Sequence, residues 1–436
     1  MRGASKPKVV IFGAGSSFTF QLAKDILLIP GIGCGTFALV DIDAERLGIA
    51  RRLVEKLVSL AGRHWDVISS VERREVMGDA DYVINTIEVS GVSTVGFDYE
   101  IPKKYGIDQC IGDTIGPGGV MKALRTIPAW VEILRDAEEL CPRALVMNYT
   151  NPMSMMMLAA VRTSKLRVVG LCHSVQNTSK QLATYLGVPY EELVWECAGI
   201  NHMAWFTRLE HGGRDMYPVL REKAKDPAIY ERDPVRFEVM LHFGAFVTES
   251  SGHFSEYVPY FRKRPDLIQK YCREGYLGGS GFYAKNWPQW RKDNDARAMR
   301  LVSGEEHYEL TRSHEYASAI IEAHLFDRPT VIHATVLNGG LIENLPFDGV
   351  VEVPVLVDGA GYHPCRFGRL PSQLAALCQS NMAVYELGVK AALEGDREAA
   401  IHAMMLDPLS AAVCSPAELR AMAEELFAAE AGFLPF

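Results

Sequence analysis

Beginning at residue 8, short apolar runs alternate with stretches of helical period: "KVVIFGAG", "SFTFQLAKDILLI", "TFALVDID", "AERLGIARRLVEKLVSLAG" and "DYVINTIEVSG". A strand that returns to its sheet through a helix of this length runs parallel to its predecessor, and helices on both faces leave such strands continuously apolar. The pattern continues through the helical stretch "GGVMKALRTIPAWVEILRDAEELCP" and the strands "RALVMNYTNP" and "RVVGLCH". It predicts an α/β fold of the Rossmann type, a doubly wound parallel sheet. Near "LVWECAGINHMAWFTRLE" the strands take on antiparallel character and their neighbours become longer and less regular. The expected division is an α/β domain at 1–195 and a C-terminal α+β domain at 196–436. No repeat or low-complexity linker separates them, so tight packing is expected, with chemistry in the cleft between them.

"IFGAGSSF" follows the first strand and opens a helix. In that context Gly13 and Gly15 permit a tight turn and close backbone approach to a pyrophosphate at the helix N-terminus, with Ser16 in the same loop. Phe18 stands where G-x-G-x-x-G has its last glycine, so the match is incomplete. Asp41 closes the second strand in "LVDID", where a carboxylate accepts hydrogen bonds from an adenosine ribose and repels a 2′-phosphate. NAD is therefore the expected cofactor of residues 1–195. The alternative is that Asp41 ends a strand or, with Asp43, caps the next helix.

The 436 residues carry 45 basic and 54 acidic side chains, a net charge of −9 that gives no reason to expect nucleic acid or an anionic membrane as partner. A small, uncharged or weakly charged substrate fits better. No apolar run reaches the roughly 18 residues of a membrane span, and "MRGASKPKVVIFGAG" lacks a cleavage-site pattern, so a cytoplasmic location is expected. Nine cysteines without C-x-x-C spacing argue against a disulfide framework. "GLCHSVQ" sets Cys172 beside His173, and "GINH" places His202 beyond the expected domain boundary. Cysteine is commonly a small buried hydrophobe and a lone histidine a satisfied core residue. A metal site would need tertiary folding to bring 172 and 202 together, and on the residues alone both readings stand.

"GAGS", the acidic end of the second strand, "DTIGPGG" with "ALRTIP", "NYTNPM", "GLCHS" and "GINH" occur in an order that resembles glycoside hydrolase family 4. "FVTESSGHFSEYVPYF", "SHEYA", "NGGLIENLP" and "VEVPVLVD" resemble its α-galactosidase branch, so the likeness runs nearly end to end. It implies a lactate/malate dehydrogenase-like fold and an α-glycosidase that requires NAD⁺ and a divalent metal, usually Mn²⁺. This family departs from the two-carboxylate scheme of most glycosidases. By resemblance Cys172 and His202 are the metal ligands, and Asn151 contacts the sugar hydroxyls. Oxygens at C2 and C3 of the sugar complete the shell of a manganous ion.

The implied chemistry is transient. Hydride passes from C3 to NAD⁺, the resulting ketone acidifies C2, and the metal stabilises the enediolate. The C1–O bond then breaks by elimination, water adds, and the hydride returns. His173 is the expected proton donor to the leaving oxygen, its alternative being a residue that only orients substrate. Tyr257 is the expected C2 base, with His253 next and Tyr260 nearby; a phenol that titrates near 10 needs cationic neighbours for this. Branches specific for 6-phospho-sugars carry asparagine or aspartate after the metal cysteine, whereas "CHS" matches unphosphorylated substrates, an α-galactoside first. Alternatives are an α-glucosidase, an α-glucuronidase or α-galacturonidase, a net NAD-dependent dehydrogenase, and an NAD-binding sensor. Relatives form dimers or tetramers, so a homo-oligomer built through the C-terminal domain is expected. "DTIGPGG" reads equally as pocket wall or structural loop, and Trp287 and Trp290 of "KNWPQW" as sugar platforms or packing.

Overall fold

In the computed structural model, which describes residues 6–436, thirteen strands form one sheet. β1 (Lys8–Phe12), β2 (Cys34–Val40), β3 (His64–Ser70), β4 (Tyr82–Asn85), β5 (Leu145–Asn148) and β6 (Arg167–Gly170) run parallel in the order β3-β2-β1-β4-β5-β6. This is the dinucleotide-fold order, whose ligands bind beyond the carboxyl ends of the strands. Val9, Val10, Ile11 and Phe12 of β1 are all buried, as a strand covered on both faces requires. β3 carries no apolar run and escapes the periodic pattern. It lies at the sheet edge, where "HWDVISS" buries only Trp65.

The sheet continues without a break into the second half. β7 (Leu193–Ile200), β8 (Met203–His211), β9 (Arg214–Asp215), β10 (Phe246–Val247), β11 (Thr330–Leu337), β12 (Val350–Asp358) and β13 (Gly361–Pro364) follow in the chain. The spatial path β6-β11-β12-β7-β8-β10 is antiparallel throughout, with β13 added to β12 and β9 to β8. Residue 195 thus falls inside β7, and the halves share a sheet as well as a core. Helix Ser372–Glu394 packs on helices Gly116–Leu140 and Met153–Thr163 of the first half. Met153, Met155, Met156 and Met157, from the methionine-rich run, are buried in that core.

One row of paired residues crosses the junction: Gly170 opposite Thr335, Thr335 opposite Glu352, Glu352 opposite Gly199. Cys172 follows the first glycine of this row and His202 the last. The hairpin of β7 and β8 carries His202 in its two-residue turn at φ +65°, a left-handed conformation uncommon outside glycine, asparagine and aspartate. A Cβ at Gly199 would sit on the Met203 carbonyl oxygen and 2.7 Å from the Ala204 Cα. Gly199→Ala is expected to strain this hairpin by about 1–3 kcal/mol. Differential scanning calorimetry should show a lowered Tm, and an unchanged Tm would mean that the hairpin relaxes freely.

Candidate active site

The carboxyl ends of the parallel strands present the dinucleotide loop. Gly13 has φ +71°, and a Cβ there would lie 2.5 Å from the Thr86 carbonyl oxygen. The Gly15 N–H donates to Asp41 Oδ2 at 2.7 Å, and Ser16 Oγ accepts from the Phe18 N–H at 3.2 Å. Asp43 supplies the helix cap, accepting from the N–H groups of Glu45 and Arg46, while Asp41 faces the cleft. Arg46 donates to the Gly15 carbonyl at 2.5 Å and to both oxygens of Asp295 at 2.7 and 2.6 Å. Asp295 lies on helix Phe282–Ser303, so a helix of the second half closes this end. Phe18, in place of the third glycine, packs edge-on against Tyr149 at 5.0 Å and His173 at 6.1 Å. Glycines that exclude a side chain, a helix N-terminus and a carboxylate at the end of β2 together fit a dinucleotide.

At the far end Cys172 Sγ lies 3.3 Å from His202 Nε2, and Glu249 Oε2 lies 3.4 Å from the same nitrogen. Thiol, imidazole and carboxylate offer ligand atoms all within 4.8 Å of one another. This donor set suits a borderline divalent ion. Glu249 was not among the ligands expected from sequence, although it lies within "FVTESSGHF"; its φ of +69° matches the unusual backbone of His202. Burial disfavours the charge on Glu249, but His202 and His253 outweigh it and hold its pKa at about 2. Burial likewise opposes ionisation of Cys172, yet the charge and hydrogen bond of His202 bring the thiol down to about 7.

Tyr257 and His253 lie behind this cluster and do not line the cleft. The Tyr257 hydroxyl hydrogen-bonds His202 Nδ1 at 3.1 Å, and burial raises its pKa well above 10. His253 packs 4.7 Å from the His202 ring, with Nδ1 3.8 Å from Glu249 and Nε2 3.9 Å from Asp113. Burial, then the charge of His202, lower its pKa to about 4, leaving a neutral ring between two carboxylates. Tyr260 is 38% exposed and belongs to the surface.

His173 does face the cleft, hydrogen-bonded through Nε2 to Glu315 of "SHEYA", and this bond raises its pKa. Asn151 lines the same space, its Oδ1 accepting from the Met153 N–H at 3.3 Å. Three further wall residues were not assigned from sequence: Asp113 of "DTIGPGG", Lys122 and Tyr283. Lys122 Nζ lies 2.9 Å from Glu88 and 3.3 Å from Asp113. Trp287 lines the cleft, whereas Trp290 is 36% exposed. One cleft of about 920 Å³ joins Gly13, Gly15, Ser16 and Asp41 to Asn151, Cys172, His173 and His202.

Residues 8–188 match the family 4 glycosyl hydrolases and residues 197–410 match the C-terminal domain of that family. The chain belongs to glycosyl hydrolase family 4. An α-galactosidase of Bacillus subtilis (strain 168) is 40% identical to this family 4 hydrolase over 98% of its chain and 99% of the relative. An α-galactosidase of Rhizobium meliloti (strain 1021) is 36% identical over 98% of this chain and 89% of the relative. A 6-phospho-α-glucosidase from gut microorganisms, solved in complex with NAD and Mn²⁺, shares the fold of this family 4 hydrolase. Its TM-score is 0.82, with 22% identity and 99% of each chain covered.

In the metal-free family 4 hydrolase, alkylation of Cys172 by iodoacetamide should rise with a midpoint near pH 7, below the roughly 8.5 of an ordinary thiol. Mn²⁺ should protect it, and peptide mapping across a pH series reads both effects. A midpoint at the ordinary value would show that His202 does not stabilise the thiolate.

Proposed function

We propose that this chain hydrolyses unphosphorylated α-galactosides with NAD⁺ and a divalent cation, Mn²⁺ first. The observation that carries the reading is the single cleft running from the Gly13–Gly15 loop to Cys172, His202 and Glu249. The two α-galactosidases similar over nearly the whole chain support the substrate, and the NAD and Mn²⁺ of the fold relative support the cofactors. Bound here, NAD⁺ supplies a hydride acceptor and the cation a Lewis acid for neighbouring sugar oxygens.

The chain's own residues then divide the work. Cys172, His202 and Glu249 hold the cation, and Tyr257 fixes the tautomer and tilt of His202 through Nδ1, as hydrogen bonds behind a metal ligand do. Asn151 spends its oxygen on the backbone of Met153 and turns its NH₂ to the sugar hydroxyls. His173, whose bond to Glu315 favours the protonated ring, donates to the leaving oxygen. The C2 proton goes to Tyr283, because this phenol faces the cleft while the hydroxyl of Tyr257 is committed to His202. Burial raises the pKa of Tyr283, and the adjacent Lys122 charge works against that rise. Asp113, held at about 2 by Lys122 and His253 against the opposing effect of burial, keeps Lys122 charged beside it.

Release of nitrophenol from 4-nitrophenyl α-galactoside is expected only with both NAD⁺ and Mn²⁺ present, without net absorbance change at 340 nm. Substrate deuterated at C2 should lose its label to solvent. Tyr283→Phe is expected to cost about 10²-fold or more in kcat. Tyr257→Phe should instead raise the Mn²⁺ requirement roughly 10–100-fold. Full retention of deuterium, or no cleavage of the galactoside with both cofactors supplied, would overturn the proposal.

A further inference from the structure

We infer that Glu88 sets the charge class of the substrate: its carboxylate keeps anionic glycosides, such as uronides and sugar phosphates, out of the cleft and leaves neutral hexosides to enter. The inference deepens the glycosidase reading above and rests on it. Glu88 lies three residues beyond the end of β4 and lines the cleft with 26% of its side chain exposed. Its Oε2 is 2.9 Å from Lys122 Nζ.

Two observations separate this role from that of a counter-ion alone. Lys122 is nearly fully buried and already has Asp113 3.3 Å from its ammonium, so its charge is compensated without Glu88. On the other side, Arg291 also lines the cleft and makes no hydrogen bond or ion pair among the described residues. The point where Gly91 would carry a Cβ is 3.1 Å from Glu88 Cγ, 3.5 Å from Arg291 Nη1 and 3.9 Å from Trp287 Nε1, so these three side chains converge on one spot.

The charges decide the rest. At the spot where these side chains converge, Glu88 and Asp113 balance Lys122 and Arg291 in charge, and a neutral sugar meets hydrogen-bonding groups there without a surplus of either sign. Without the Glu88 charge the sum is +1, and Arg291 becomes an open guanidinium suited to a carboxylate or phosphate. A carboxylate a few ångströms from an anionic substrate in a partly screened cleft disfavours it by roughly 10–100-fold.

The test compares kcat/KM for 4-nitrophenyl α-galactoside, α-galacturonide and α-galactoside 6-phosphate, with NAD⁺ and Mn²⁺ present, in the wild type, Glu88→Gln, Glu88→Ala and Glu88→Asp. The two neutral variants are expected to raise the anionic-to-neutral ratio about 10–100-fold, and Glu88→Asp to leave it near the wild-type value. The second neutral variant keeps the test open where one fails to fold. A ratio within twofold of wild type in a folded neutral variant would overturn the inference. Titration calorimetry of galacturonate against galactose on the cofactor-loaded protein reads the same ratio as Kd without turnover. A wild type that cleaves no α-glycoside would sink the functional reading, while the Kd ratio would still decide on Glu88.

Discussion

The site depends on one close approach, Cys172 to His202 at 3.3 Å, made by residues from opposite halves of the chain. Sheet register makes it possible. Gly170, Thr335, Glu352 and Gly199 stand in one row, so the loop after β6 and the turn after β7 rise from the same level of the sheet, three strand spacings or roughly 14 Å apart. The left-handed backbone at His202 and Glu249 holds imidazole and carboxylate against the thiol. Such conformations cost of order 1–3 kcal/mol each and persist where surrounding structure over-determines them. Tyr257, His253 and the hairpin provide that surrounding here.

Buried charge reinforces the geometry. Glu249 and Asp113 would be costly as lone buried carboxylates, and each is ionised because a cation faces it: His202 for Glu249, Lys122 for Asp113. His253 bridges the two as a neutral ring. The Cys172, His202 and Glu249 cluster, His253, Asp113 and Lys122 therefore form one electrostatic unit, in which removing a charge at one position alters ionisation at the next. The dinucleotide end is tied in similarly, through Asp41, Gly15, Arg46 and Asp295, so that a helix of the second half closes over the loop of the first.

Much of this was legible in the linear chain. Strands whose faces are both buried show as continuous apolar runs, and β1, β2, β4, β5 and β6 declared themselves in that way, as did Gly13, Gly15 and Asp41 by their place at strand ends. β3 did not, because an edge strand can remain polar. Ordered motifs pointed to Cys172 and His202. Glu249, Asp113 and Tyr283 lay inside or near quoted motifs yet carried no signal of their own, since a carboxylate or phenol in a loop looks the same whether it faces solvent or a cleft. Tyr257 illustrates the converse: a tyrosine in the right segment has its hydroxyl on His202 Nδ1, while another, 26 positions later by subtraction of 257 from 283, lines the cleft.

The sequence alone determined the kind of fold, the dinucleotide loop and the residue types able to bind a cation, because these follow from local periodicity, backbone freedom and donor chemistry. Which side chains meet was decided by tertiary structure. The antiparallel strands β11 and β12 insert between β6 and β7, and that strand order, set by packing across the whole sheet, places His202 beside Cys172 and Glu249 beside both, while helix Gly116–Leu140 brings Lys122 to Glu88 beyond the end of β4. Distances of this kind arise from pairings between residues far apart in the chain, which no local pattern encodes.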